Sequence, residues 1–242
     1  MGKLANQLKG IISIVAIITS LFHLYGAIWG AYETFYLRII HLGLFILLLY
    51  VMDLEKSIRA KDKVKQIVNS LWIIVTFATF GYLLINYEYL AVKRFMFVTP
   101  LTTVEKILGV LIILLLLEAA RRVVGTVLSI VFICFIAYFV TGPYLPGILY
   151  HSGFNMDKLL DVLYLTPEGI FGMPLGVSST VIIMFIIFGS FLKETKFGDL
   201  ISDFSMGLAG KAKGGPAKVS VLASALMGMI SGSSNANVVT TG

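Results

Sequence analysis

Apolar residues fall along this chain in long unbroken runs separated by short polar stretches. Crossing about 30 Å of hydrocarbon takes roughly 20 helical residues. Six runs are suited to it: Ile11 to Tyr32, Tyr36 to Met52, Val68 to Tyr89, Thr102 to Ala120, Gly125 to Thr141 and Gly176 to Leu192. The second and fifth are short, which fits a small tilt or tight loops. The runs are continuous rather than alternating, so the pattern predicts helices and not barrel strands. Between the fifth and sixth runs, "GPYLPG" must turn, because its two prolines block a continuing helix. "NMDKLLDVLYLTPEGI" then predicts a short helix capped by Asn155 and ended by Thr166 and Pro167. Met156, Leu159, Leu160, Leu163 and Tyr164 share one face of it, which predicts a helix lying at the outer membrane interface.

After the sixth run the period changes again. "KFGDLISDFSMGLAGKAKGG" places Leu200, Ile201, Phe204 and Leu208 beside Asp199 and Asp203, an amphipathic helix expected at the inner interface and ended by glycines. Pro216 suits the first turn of a further helix. From Val219 to Ile230 that helix is apolar and rich in small residues, which let membrane helices approach closely. About 13 residues after Lys218, a rise of roughly 20 Å, the sequence turns to "SGSSNAN". A polar break half-way through a membrane is costly unless it is enclosed by protein or lines a site. Secondary transporters place substrate and ions at such broken helices. Ser231 to Asn237 therefore read as the tip of a re-entrant hairpin with ligand-binding chemistry; the alternative is an extramembrane Ser/Gly/Asn loop after a short helix.

Composition agrees with the runs. Of 242 residues, 58% are hydrophobic and only 13% charged, too few charges to cover a soluble surface, and mean hydropathy is +0.93. The fold class expected is an all-α polytopic membrane protein: six transmembrane helices, then the first arm and tip of a re-entrant helical hairpin. The net charge of +6 does not by itself point to nucleic acid, because in a membrane protein the placement of Lys and Arg decides orientation. With the N-terminus in the cytoplasm, 14 of them fall inside and 5 outside (Arg38, Lys93, Arg94, Lys106 and Lys158). The first run has basic residues ahead of it but no clean small-residue cleavage site behind it, so it reads as a retained span. The stretch "EKSIRAKDKVK", Glu55 to Lys65, reads first as a topology determinant and second as a contact for anionic lipid. Glu118 is spaced to pair with Arg121 and Arg122 on one helix face.

Candidate chemistry elsewhere is sparse. Cys134 sits alone in an apolar run, which excludes an internal disulfide. His23 and His41 could face each other across the first hairpin, as a helix–helix hydrogen bond or a proton relay. No metal-ligand spacing, phosphate loop or nucleophile triad is visible, so an intramembrane enzyme ranks last among the readings. The first is a transporter; the second is a membrane scaffold or assembly subunit without transport.

"GGPAKVSVLASALMGMISGSSNANVVTTG" resembles the first hairpin of the large permease subunit of TRAP transporters, the tripartite ATP-independent periplasmic transporters. "LEAARRVVG", "GPYLPGILYHSGF", "LTPEGIFGMPLGVSST" and "GGPAKV" resemble the fused permeases of the TAXI subgroup. The resemblance covers roughly Thr102 to Gly242. The earlier spans are similar to the small permease subunit, giving a small-subunit-like region over 1–100 and the start of the large subunit over 101–242. The resemblance implies secondary active import of an organic acid, received from an extracytoplasmic TAXI-type solute-binding protein and driven by an ion gradient, usually Na⁺, in an elevator mechanism. It implies a prokaryotic inner membrane and no cofactor beyond the coupling ion. It places the ion and substrate region at Ser231, Gly232, Ser233, Ser234 and Asn235, with Asn237 and Thr240 as weaker candidates. It also implies a second, inverted half. The sequence accordingly reads as a fragment truncated in the first hairpin, dependent on the remainder of the permease.

Overall fold

The computed structural model describes residues 2–30, 32–153, 155–195, 197–229 and 237, the side chains of 2–4 and 193 excepted. The described residues form helices and turns without strands. They are α1 (Gly2–Trp29), α2 (Thr34–Arg59), α3 (Lys63–Ile85), α4 (Thr103–Val123), α5 (Thr126–Thr141), α6 (Met156–Leu165), α7 (Met173–Val177), α8 (Ile183–Glu194), α9 (Phe197–Ala209) and α10 (Gly215–Gly228). A π-helical turn, Ser178–Ile182, joins α7 to α8. The protein is an all-α polytopic membrane protein. Among the described residues, five helical segments are long and apolar enough to cross a bilayer: Ala5–Trp29, Thr34–Arg59, Lys63–Ile85, Thr126–Tyr144 and Met173–Leu192. The remaining expected span is α4. It has a span's length, 21 residues, but carries Glu105 and Lys106 at one end and Glu118, Arg121 and Arg122 at the other.

Local sequence explains most helix ends. Thr102 and Glu105 form a reciprocal capping box at the start of α4. Asn155 caps α6 as expected, accepting from the backbone N–H of Lys158 at 2.9 Å. Pro216 stands in the first turn of α10, behind the left-handed Gly214. The basic stretch Glu55 to Lys65 is mostly helical rather than a loop. α2 runs on to Arg59, Asp62 caps α3, and only Ala60–Asp62 lie between the two helices.

The chain divides into two units, residues 1–21 with 31–176 and residues 22–30 with 177–242. In the larger unit, α2, α3, α4 and α6 surround a core that includes Ile39, Tyr50, Phe80, Leu83, Ile112, Leu115, Tyr164 and Phe171. Buried tyrosines tie the helices together by their hydroxyls. Tyr50 of α2 donates to the Leu115 carbonyl of α4 at 2.9 Å, and Tyr164 of α6 donates to the Thr79 carbonyl of α3 at 2.7 Å. Such bonds between membrane helices contribute about 0.6–2 kcal/mol each.

α6 departs from the expected interfacial helix. Leu159, Leu160, Asp161, Tyr164 and Leu165 are buried against the core, while Met156 is half exposed. Its apolar face meets protein. Periodicity reports that a helix has an apolar face; it does not report what covers that face.

In the smaller unit α9 and α10 pack along each other. Gly198, Ile201, Ser205 and Ala209 of α9 and Val219, Ala223 and Met227 of α10 are buried, and Ile201 packs with Ala223 and Met227. Small side chains bring the two backbones close. Leu200, Phe204 and Leu208 of the expected apolar face remain exposed beside Asp199 and Asp203. The face directed at α10 is thus the small-residue one.

Candidate functional site

Ser231, Gly232, Ser233, Ser234, Asn235 and Thr240 lie outside the described residues. Asn237 is described, and so is the helix that leads to the tip. Asn237 donates through Nδ2 to the Ser224 carbonyl at 3.1 Å and to Ser224 Oγ at 3.2 Å. On one continuous helix, residues this far apart in sequence would stand about 20 Å apart. Asn237 therefore does not prolong α10; it lies back against it. Gly228, one turn beyond Ser224, makes room for the amide: a Cβ there would stand 3.3 Å from Asn237 Nδ2. Of the weaker candidates, then, Asn237 is held by α10 through its amide nitrogen.

The other conspicuous stretches also find local explanations. In "LTPEGIFGMPLG", Thr166 ends α6 by donating to the Val162 carbonyl at 2.9 Å, and the Glu168 N–H donates to Thr166 Oγ1 at 3.3 Å. Gly169 then passes so close to α6 that a Cβ would stand 2.4 Å from the Val162 carbonyl oxygen, which only glycine permits. Arg38 of α2 clamps this turn, donating to the Phe171 carbonyl at 2.8 Å. In the sequence Arg38 counts only as an outer charge.

Two ionic clusters occupy opposite ends of α4. At its start Arg94, Asp161 and Glu105 are fully buried, with side chains at most 1% exposed. Arg94 Nη1 pairs with Asp161 Oδ1, the Phe97 N–H donates to Asp161 Oδ2 at 2.8 Å, and Arg94 Nη2 reaches the Thr99 carbonyl at 3.4 Å. Glu105 Oε2 accepts from the Thr102 backbone at 2.7 Å. Its Oε1 stands 3.9 Å from Arg94 Nε, and neither atom has a hydrogen bond. The sequence signal for Asp161 was available: it is an acid between Leu160 and the buried Tyr164 on the apolar side of α6.

At the far end of α4 the expected pairing holds. Arg121 grips Glu118 through Nε at 2.7 Å and Nη2 at 2.8 Å, and Arg122 Nε reaches Glu118 at 2.7 Å. Arg122 also donates through Nη1 to Asn69 Oδ1 of α3 at 2.6 Å and to Asp53 of α2 at 3.1 Å, and its guanidinium lies 5.0 Å from the Tyr50 ring centre. One arginine thereby joins three helices. Asp53 and Asn69, 69 and 53 residues away, were not legible as its partners in the sequence.

Of the two histidines that could face each other, both are buried, His23 at 2% and His41 at 5% exposure. His41 is buried with its ring 4.8 Å from that of Phe45, and His151 engages the Tyr138 carbonyl at 3.1 Å. Among the described residues no group of three or more His, Cys, Asp or Glu could hold a metal ion. An apolar cavity of about 290 Å³ opens in the larger unit beside Leu42, Leu117, Leu128 and Phe132.

Comparison with curated proteins and with solved structures gave no match. Comparison with protein families did. Residues 111–242 match the family described as "Tripartite ATP-independent periplasmic transporter, DctM component". The match begins inside α4 and takes in Glu118, Arg121 and Arg122, the turn that Arg38 clamps and the α9–α10 pair. It covers more than half of the 242 residues. With its membrane-spanning helices and a match over more than half its length, this chain belongs to the family of TRAP transporter permease components, multi-pass membrane proteins that work with an extracytoplasmic solute-binding protein.

Proposed function

We propose that the chain serves a secondary active permease of the TAXI subgroup that imports an organic acid by an elevator mechanism, driven by Na⁺. The observation that carries this reading is the family match over residues 111–242, which includes the Ser/Gly/Asn tip. Asn237 folded back on Ser224 supports a hairpin there. A TAXI-type binding protein delivers the acid from outside. Ser231, Gly232, Ser233, Ser234 and Asn235 supply oxygens to Na⁺ and help to hold the substrate carboxylate. Na⁺ is a hard cation suited to hydroxyl and carbonyl oxygens, and Gly232 lets the backbone present its carbonyl without a side chain in the way. Asn237 positions the tip from behind.

Residues 1–100 act as the small-subunit-like scaffold, and residues 101–242 belong to the transport subunit. The Arg122 end of the larger unit faces the cytoplasm of the inner membrane, with the N-terminus on the same side. Lys56, Lys65, Arg121 and Arg122 converge at that end, as positive-inside placement asks.

The test is uptake by the permease, this chain together with the second, inverted half that the resemblance implies, reconstituted in liposomes with its cognate binding protein. An inward Na⁺ gradient should drive accumulation of the organic acid that the binding protein carries, and removal of the binding protein should abolish it. Accumulation indifferent to Na⁺ but responsive to a proton gradient would overturn the coupling ion. No uptake under either gradient would overturn the permease reading.

A further inference from the structure

The Arg122 end of the larger unit holds a pocket that the transport reading leaves unused. It measures about 460 Å³ and lies between the ends of α2, α3 and α4. Its wall carries four cations, Lys56, Lys65, Arg121 and Arg122, against two carboxylates, Asp53 and Glu118. Arg122 forms the floor, committed to Glu118, Asp53 and Asn69. The other three are at the rim with side chains 68%, 74% and 52% exposed for Lys56, Lys65 and Arg121. Each rim lysine has one carboxylate partner, Asp53 at 3.1 Å and Asp62 at 3.2 Å, so two of its three N–H donors remain available to a ligand.

Position decides what kind of anion the pocket fits. α2 and α3 have 26 and 23 residues, long enough to carry their ends through the hydrocarbon into the headgroup layer. The residues next to the pocket are apolar and outward-facing: Met52, Val64, Val68, Val123 and Val124 are all exposed. A soluble anion would have no use for that apolar border; an acyl chain would. Nor does topology alone account for the arrangement. Orientation depends on how many Lys and Arg flank a span, not on their meeting from three helices around one concavity. Basic pockets between membrane helices bind anionic lipid headgroups.

We propose that this pocket binds the headgroup phosphate of an anionic phospholipid, with Lys56, Lys65 and Arg121 at the phosphate and the acyl chains along Val64, Val68, Val123 and Val124. Thermal unfolding of the full chain in neutral detergent micelles, titrated with phosphatidylglycerol, tests it. Phosphatidylglycerol should raise Tm saturably, whereas phosphatidylcholine and inorganic phosphate should not. The Lys56→Gln/Lys65→Gln double variant should need about 25-fold more phosphatidylglycerol for the same shift, each lysine near an anionic surface being worth roughly fivefold in affinity. Lys93→Gln/Lys158→Gln removes equal charge at the other end of the unit and should respond like the unaltered protein. An equal response from the Lys56/Lys65 variant, an equal loss in the Lys93/Lys158 variant, or the same shift from phosphatidylcholine would overturn the proposal. A shift produced by inorganic phosphate alone would overturn it in favour of a soluble-anion site.

Discussion

The two ends of α4 each gather arginine and carboxylates, yet they solve different problems. At the Glu105 end one arginine faces two acids with side chains at most 1% exposed. The segment between α3 and α4 is held there by Asp161, which takes both the Arg94 guanidinium and the Phe97 N–H. At the Arg122 end the cations outnumber the acids and several are open to their surroundings. A buried ion pair holds its partners because breaking it strands a charge in a medium of low polarity. An open cluster contributes little to stability, and for that reason its charges remain available to position a helix bundle in the membrane or to meet a ligand. The difference is one of burial, not of residue type.

The contrast breaks at once if the two ends share one side of the membrane. Single cysteines at Lys61 and Ser152, in a Cys134→Ser background, should label oppositely in intact cells. Lys61→Cys should be protected from a membrane-impermeant maleimide and Ser152→Cys should be reached nearly completely. Both sites are exposed on the protein, so burial would not confuse the result. Equal labelling of both would remove the proposed orientation.

Energetic contrast comes next. Asp161→Ala leaves Arg94 buried with a single distant carboxylate and should cost about 3–5 kcal/mol in unfolding free energy in mixed micelles. Arg122→Ala removes a half-buried cation from Asp53, Asn69 and Glu118 and should cost about 2 kcal/mol. Lys56→Ala, at a largely exposed pair, should cost under about 0.5 kcal/mol. The reverse order, with Arg122→Ala costlier than Asp161→Ala, would mean that the open cluster is the structural one.

How much of this was legible beforehand follows from the range of each interaction. Spans, helix caps and the Glu118–Arg121–Arg122 pairing rest on neighbours within one or two helical turns, and sequence spacing carries that information. Asn155, Pro216 and the glycines after α9 were readable for the same reason. The partners of Arg122 in α2 and α3, the Arg38 clamp on Phe171 and the burial of Asp161 depend on which helices meet and at what rotation. For α6 the sequence showed an apolar face but gave no means to choose protein over lipid as its cover. For α9 it pointed to Leu200, Ile201, Phe204 and Leu208; of these Ile201 is buried, together with Gly198, Ser205 and Ala209, and the other three are exposed. In membranes small residues suit helix contact, and the amphipathic pattern alone does not say which residues a second helix will cover. Of the polar residues expected at the tip Asn237 is described, and its bond to Ser224 was not to be read from spacing.

The central claim is that the Ser/Gly/Asn tip handles the coupling ion. Its most direct test is the Na⁺ dependence of uptake in the reconstituted permease for Ser231→Ala and Ser234→Ala. Loss of one hydroxyl ligand should raise the Na⁺ concentration for half-maximal uptake by at least tenfold, as a lost charge-assisted oxygen contact of about 1.5–3 kcal/mol implies. Expression and binding-protein docking should be unchanged. If both variants transport with the Na⁺ dependence of the unaltered protein, the tip is a structural turn and the claim is contradicted.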